Sequence, residues 1–227
     1  MIEAPPTTLP AELGFRCGAR GTHTSRTMML SELASVLEAT PDGASLADYR
    51  AAITDENVLA KKTASNRRLT AQRLSEVYGL DAAVHLFRHL RFFWKLDDQG
   101  RPLLACLCAN ARDPLLRMTA PRVLSARSGE VVTSAELEEA VEASAPSRFN
   151  PPTRNKIARN ALSPWTQSGH LEGRRVKTRR RPVVAAANTA YALLLGYVSG
   201  LREPRLFGAF WTGLLNDPTE KLHSMTA

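Results

Sequence analysis

The sequence predicts a mainly α-helical protein with one small β-hairpin near its C-terminal end. Apolar residues recur at spacings of three and four along most of the chain, which is typical of helices with one buried face. Turn and capping residues divide this pattern into short segments. Alternation typical of strands is confined to short stretches, chiefly residues 174–181.

The composition is that of a globular protein. A chain of 227 residues with 44% hydrophobic residues fits one large or two small domains, and it does not indicate disorder. The three cysteines form no Cys-x-x-Cys pair, and their odd number argues against a disulfide framework. The first residues lack the basic segment and apolar run of a secretory signal. We therefore expect a cytoplasmic protein.

Residues 1–24 are predicted to form a mobile or loosely docked arm, because they are rich in Pro, Gly and Thr and lack apolar periodicity. Helical spacing begins at residue 25. It predicts helices over 25–39 and 45–53, separated by a turn at 41–43.

The next two helices are predicted from their ends. Gly79 is suited to end the first of them, and Asp81 is suited to cap the second, which extends over 81–96. The second has apolar residues on more than one side, so we expect it to form the centre of the N-terminal core. The inward-facing residues of the first are predicted to be Leu69, Leu74, Val77 and Tyr78.

A strongly apolar helix is predicted over 102–111. Another follows, with Asp113 as its N-cap and Pro114 at its first position. We place a soft domain boundary after this point, which gives an N-terminal helical domain over 25–120 and a C-terminal domain over 121–227.

The C-terminal domain has the element order of a winged helix-turn-helix domain. A short strand at 130–132 precedes a helix that opens with a capping box at 133–136. A second helix is predicted from Asn150 to about residue 163. An extended segment at 165–171 and the basic strand at 174–181 would then form the hairpin, or wing.

Two packed helices are predicted to follow, over 183–199 and 204–216, the second as a lid on the C-terminal domain. Residues 183–201 are uncharged for nineteen positions, which is near the length that crosses a bilayer. Because this segment is rich in Ala and contains Asn188 and Thr189, a buried helix is favoured, and an integral membrane protein is the weaker alternative.

The positive charge of the chain is concentrated in residues 147–182, which we call the basic window. It holds ten of the thirty Lys and Arg residues and one acid, Glu172, so its balance is +9 while the whole chain carries +8. Such confinement indicates a docking surface for a polyanion. The alternatives are a solvated face that binds nothing, an anionic membrane, and a scaffold whose basic hairpin binds an acidic protein.

Within the basic window, a helical wheel and a strand alternation select the candidate nucleic-acid-binding residues. On the strand, alternate cations share one face; on the helix, Arg154 falls on the apolar side and would have to reach out from the first turn. Duplex DNA is favoured over RNA because no aromatic stacking platform accompanies the cations. The predicted binding residues are Arg154, Asn155, Lys156, Arg159, Asn160, Arg174, Arg175, Lys177, Arg179, Arg180 and Arg181.

Motifs for catalysis, cofactors or metals are weak. His85 and His89 are four residues apart, but no third ligand lies near them in the sequence. Cys106 and Cys108 belong to an apolar helix, where side chains two positions apart diverge. His170 lacks a visible nucleophile or orienting acid. We therefore predict a protein that is not an enzyme and has no cofactor or metal.

Several segments resemble the BrxA family of BREX bacteriophage-defence systems: residues 56–81, 102–117, and above all 160–173, followed by the basic strand and residues 185–200. The similarity extends from about residue 28 to 216, and the sequence SPWTQSGHL is its least generic part. The resemblance implies a small, non-enzymatic, mainly helical protein that binds DNA and works beside the methyltransferase, the ATPase and other BREX proteins. It implies no site residues.

Overall fold

A computed structural model describes residue 6, residues 8–18 and residues 28–216. This part of the chain is mainly helical, with a two-stranded antiparallel hairpin, as the sequence predicts. The elements are α1 (Leu30–Ala39), α2 (Leu46–Thr54), α3 (Ala64–Tyr78), α4 (His85–Trp94), α5 (Arg101–Arg112), α6 (Pro114–Ser125), α7 (Ser134–Ser144), α8 (Pro151–Gln167), β1 (Leu171–Glu172), β2 (Thr178–Arg179), α9 (Ala186–Val198) and α10 (Phe210–Gly213).

Helix α5 is the centre of the core. Every residue from Leu103 to Arg112 is buried, and α3, α4, α6, α8 and α9 all pack against this helix. The prediction that α4 forms the centre of the N-terminal core was wrong. Helix α4 has neighbours on one face only, so its Phe92 is 61% exposed although it is a large apolar residue.

Most predicted helix ends are confirmed. The Asp113 carboxylate accepts hydrogen bonds from the amides of Leu115 and Leu116, and Gly79 ends α3 with a φ of 91°. Two local predictions were wrong. The Asp81 carboxylate accepts from the amide of Ala83 in a turn, and α4 begins at His85. Leu69 is 38% exposed.

Buried arginines donate hydrogen bonds to carbonyl groups near helix ends. The guanidinium of Arg112 donates to the carbonyls of Gly14 and Ser75, and that of Arg117 donates to those of Asn110 and Ala111. Burial lowers the pKa of both arginines. These two arginines lie outside the basic window, and their guanidinium groups stabilise the fold instead of facing solvent.

The described part of the predicted arm, residues 8–18, is packed on the core. Phe15 is buried, and its ring centroid lies 5.6 Å from that of Trp211. The amide of Arg16 donates to the carbonyl of Ala111 at 3.1 Å. This part of the arm is thus docked, while residues 1–5, 7 and 19–24 lie outside the described residues, as do the predicted helix start at 25–27 and residues 217–227.

Helices α6, α7 and α8 precede the hairpin, in the order that the sequence predicts. Strands β1 and β2 are antiparallel, with Leu171 opposite Arg179. On the other side of β2, Val131 forms an isolated antiparallel bridge with Thr178. The strand predicted over 174–181 is therefore too long. Helix α8 continues to Gln167 past Pro164, so the extended segment predicted at 165–171 was also wrong.

The reason that α8 continues is the side chain that follows Pro164. Trp165 is fully buried, and its indole N–H donates to the hydroxyl of Thr119 in α6 at 2.8 Å. Burying a tryptophan contributes more than the loss of one helical hydrogen bond at the proline costs. Tertiary packing thus overrides a local stop signal.

The C-terminal helices pack on the N-terminal ones. Helix α9 contacts α4 and α5, and the Tyr191 hydroxyl donates to the carbonyl of Leu86 at 3.0 Å. None of the helices in the described residues is long and apolar enough to span a membrane. The single helix predicted over 204–216 is broken into a 3-10 turn at Arg205–Gly208 and α10, because Ala209 between them is extended.

One cluster of buried apolar residues extends from Leu9 to Leu215 and includes both α5 and α9. Helix α10 packs against α9, and the carbonyl of Leu214 accepts a hydrogen bond from His170, so the C-terminal segment covers part of the predicted C-terminal domain as well as the common core. A division of the chain near residue 120 stays a prediction.

The capping box of α7 provides a test of the fold. The Thr133 hydroxyl accepts from the amide of Glu136, and the Glu136 carboxylate accepts from the amide of Thr133. Thr133→Ala removes one partner of this pair, so we expect the free energy of unfolding to fall by about 1 kcal/mol in urea titrations. Ser134→Ala, one position into the helix, is the control and should change it by much less. Equal losses would contradict the capping role.

Candidate nucleic-acid interface

The joint between α8 and the hairpin is a buried polar chain. The Ser168 hydroxyl and Nδ1 of His170 are 2.8 Å apart, and Nε2 of His170 is 2.7 Å from the carbonyl of Leu214. Since a carbonyl only accepts, Nε2 carries the proton and Nδ1 accepts from Ser168. Burial lowers the pKa of His170 to about 3, with the nearby charge of Arg179 acting in the same direction. His170 is therefore neutral and structural.

Arg179 fastens the base of the hairpin from inside. It is 2% exposed, and its guanidinium donates to the carbonyls of His170 and Arg180. Burial, with the charge of Arg181, lowers its pKa to about 10. Its placement on the outer face of the hairpin was wrong, because this side chain is buried against the carbonyls of His170 and Arg180.

Two more predicted cations are paired with carboxylates. In the first turn of α8, Arg154 forms ion pairs with Glu142 at 2.7 Å and Glu138 at 3.6 Å, both on α7. On the hairpin, Arg180 pairs with Glu172 at 2.7 Å. The predicted outward reach of Arg154 was therefore wrong, since the acidic face of α7 holds this side chain.

Six predicted cations are exposed or half-buried and form no ion pair with any described residue. On α8, Lys156 and Arg159 are exposed and point away from the buried face that contains Ile157 and Ala161. Asn155 is exposed but donates to Glu138 at 3.2 Å, and Asn160 is half-buried. The six cations are Lys156, Arg159, Arg174, Arg175, Lys177 and Arg181.

The tip of the hairpin differs from the predicted strand. Residues 174–176 form a bend, so alternate residues do not share a single face. Gly173 has a φ of 94°, and a Cβ there would lie 2.1 Å from the carbonyl oxygen of Val176, so the turn needs glycine. Lys177 is half-buried, with its amine donating to the carbonyl of Gly173. The tip presents Arg174, Arg175 and Val176 to solvent.

Two exposed side chains of the basic window, Val176 and Arg148, are absent from the predicted binding residues. Val176 is 60% exposed between cations at the hairpin tip. Arg148, exposed in the basic window, stacks its guanidinium over the ring of Phe149 at 5.0 Å, and its position before α8 kept it out of the helical wheel. The adjacency of Arg and Phe in the sequence was the available signal.

The side chains with potential for chemistry lie apart from this surface. Cys106 and Cys108 are buried in α5, and burial raises the pKa of their thiols to about 12 and about 11. In the described ranges, no group of three or more His, Cys, Asp and Glu residues is placed to hold a metal ion.

Comparisons with known proteins do not assign a family: no protein-family model matches this chain, and no curated protein matches it significantly.

The buried His170 predicts an acid-sensitive fold. Below pH 6.5 the unfolded chain binds a proton at this histidine, while the folded chain does not until about pH 3, so stability is lost as the pH falls through this window. Between pH 7 and pH 5 this histidine should remove about 2 kcal/mol from the free energy of unfolding. Urea titrations at several pH values between 7 and 5 measure this change in the free energy of unfolding.

His170→Gln is the matched variant, because its amide can still donate to the carbonyl of Leu214 but does not titrate. It should be less stable at pH 7 and should show a smaller loss of stability between pH 7 and pH 5. The same pH dependence in both proteins would contradict a neutral, buried His170.

Proposed function

We propose that this protein is a non-enzymatic accessory protein that binds duplex DNA, mainly through phosphate contacts from α8 and the hairpin. The observation that carries the proposal is the set of six cations on these adjacent elements without a carboxylate partner among the described residues. Their guanidinium and ammonium groups can donate to phosphate oxygens, which supply most of the affinity in such complexes.

The two elements would contribute differently. Lys156 and Arg159 lie one helical turn apart on α8, so they can follow a groove or the phosphates beside it. Arg174 and Arg175 at the hairpin tip would contact the backbone farther along the duplex. Because Arg179 and His170 tie the hairpin to the end of α8, little conformational freedom would be lost on binding.

The acidic face of α7 limits where DNA can lie. Glu138 and Glu142 hold the first turn of α8 through Arg154, and Glu139 stands beside them in a groove along α7. Phosphates would be repelled there. DNA would therefore approach α8 from the side of the hairpin.

The biological setting rests on the resemblance to the BrxA family. The part of the sequence that resembles this family most specifically, SPWTQSGHL, includes the buried Trp165, Ser168, His170 and Leu171. It supports a shared scaffold more directly than a shared DNA contact. On this basis the protein would act in the cytoplasm within a BREX phage-defence system, with other BREX proteins as partners.

One observation favours a second candidate function, a scaffold that binds an acidic protein. Val176 is exposed between cations at the hairpin tip, and an apolar side chain ringed by charge suits a protein interface. The membrane alternative has no comparable support, given the lack of a membrane-spanning helix in the described residues.

Salt-titrated binding to a short duplex tests the proposal. If all six cations contact phosphates, the logarithm of the binding constant should fall with the logarithm of the salt concentration with a slope of about −5. The double variants Lys156→Gln/Arg159→Gln and Arg174→Gln/Arg175→Gln should each bind more weakly and should each reduce the magnitude of the slope by about 2.

The control is Lys62→Gln/Arg88→Gln, which removes the same charge from exposed positions outside α8 and the hairpin. It should keep the wild-type slope. Arg179 is left intact because its loss would disturb the hairpin itself. Wild-type DNA binding in both site variants would exclude this surface. If an acidic protein partner is retained by Lys156→Gln/Arg159→Gln but lost by Arg174→Gln/Arg175→Gln, the scaffold function is favoured.

A further inference from the structure

A second cationic site lies far from α8 in the sequence, in a cleft between α2 and α3. Three guanidiniums line this cavity of about 650 Å³: Arg50 from α2, and Arg67 and Arg68 from α3. Asp55 is the one carboxylate among its lining residues. The cleft therefore carries an excess of positive charge.

Unlike Lys61 and Arg73, the three arginines form no ion pair with a described residue. Lys61 is paired with Glu32 at 2.9 Å, and Arg73 is paired with Glu76 at 2.6 Å. The Asp55 carboxylate does not pair with any of the three cleft arginines; it accepts a hydrogen bond from the hydroxyl of Thr54. The three arginines of the cleft therefore lack a carboxylate partner among the described residues.

The position of Arg67 and Arg68 near the N-terminal end of α3 adds to the positive charge of the cleft. Ala64, the first residue of this 15-residue helix, lines the cleft, and Arg67 and Arg68 follow in its first two turns. The N-terminal end of a helix carries partial positive charge and favours acidic residues, but the first turn of α3 has none. Nε of Arg67 is also buried without a hydrogen-bond partner in the described residues.

We propose that this cleft binds the polyphosphate part of a small phosphorylated molecule. Guanidinium groups bind phosphate oxygens in a bidentate manner, and a bound anion would relieve the repulsion among the three arginines. The cavity is in the size range of small-molecule sites and exceeds the volume of a single phosphate. Because no aromatic residue lines it, recognition would come from the phosphates and not from a stacked base.

Calorimetric titration of the full chain with tripolyphosphate tests this site. We expect one binding event per chain at the cleft, which Arg67→Gln/Arg68→Gln should weaken at least tenfold. Arg88→Gln/Arg127→Gln and Arg174→Gln/Arg175→Gln remove the same charge from exposed positions away from the cleft and should retain it. Tripolyphosphate should also raise the Tm of the wild type and of these controls, but not that of Arg67→Gln/Arg68→Gln.

Unfolding of the variant is a separate readout. Without tripolyphosphate, Arg67→Gln/Arg68→Gln should be at least as stable as the wild type, because it removes like charges from the positive end of α3. Binding of a nucleoside triphosphate with an affinity similar to that of tripolyphosphate would show that the phosphates dominate recognition.

The proposal is overturned if tripolyphosphate does not bind, or if the control pairs lose binding as much as Arg67→Gln/Arg68→Gln. It is also overturned if that variant weakens only duplex DNA, since the cleft would then be part of the DNA surface. Its outcome is independent of the DNA proposal, because the α8 and hairpin variants can lose or keep DNA binding while the cleft still binds tripolyphosphate.

Discussion

The hydrogen bonds at His170 hold the C-terminal part of the structure together. Its carbonyl accepts from the guanidinium of Arg179 and the amide of Arg180, and its imidazole links Ser168 at the end of α8 to the carbonyl of Leu214. Helix α8, the hairpin and the C-terminal segment therefore meet at one residue. A buried guanidinium is costly without a counter-ion, and the carbonyls of His170 and Arg180 offset part of this cost for Arg179.

The same solution recurs in the N-terminal part. Arg112 and Arg117 enter the core and donate to carbonyls at the ends of α3 and α5. Arg91 donates to the carbonyl of Thr40 and is also paired with Asp42 at 2.8 Å. The chain therefore uses part of its positive charge to close helix ends. Net charge alone overstates the charge that this protein can present to a polyanion, and the six outward cations near α8 are the better measure.

Local signals predicted the helix ends well, because a cap depends on residues three or four positions apart. Thr133 with Glu136, Asp113, and Gly79 all act as the sequence indicates. Long-range packing explains the failures. Trp165 carries α8 past Pro164 through a contact with Thr119, 46 residues away, and α5 displaces α4 as the centre because of helices that surround it.

For the candidate site, the sequence by itself determined the element order, the concentration of charge in residues 147–182 and the outer face of α8, since composition and helical period are properties of short segments. Only the tertiary structure decided which of the cations face solvent. Arg154 meets Glu142 of α7, and Arg179 turns inward to His170. Ion pairing and burial depend on which segments become neighbours, and a strand of two residues is too short for its alternation to be read reliably from sequence.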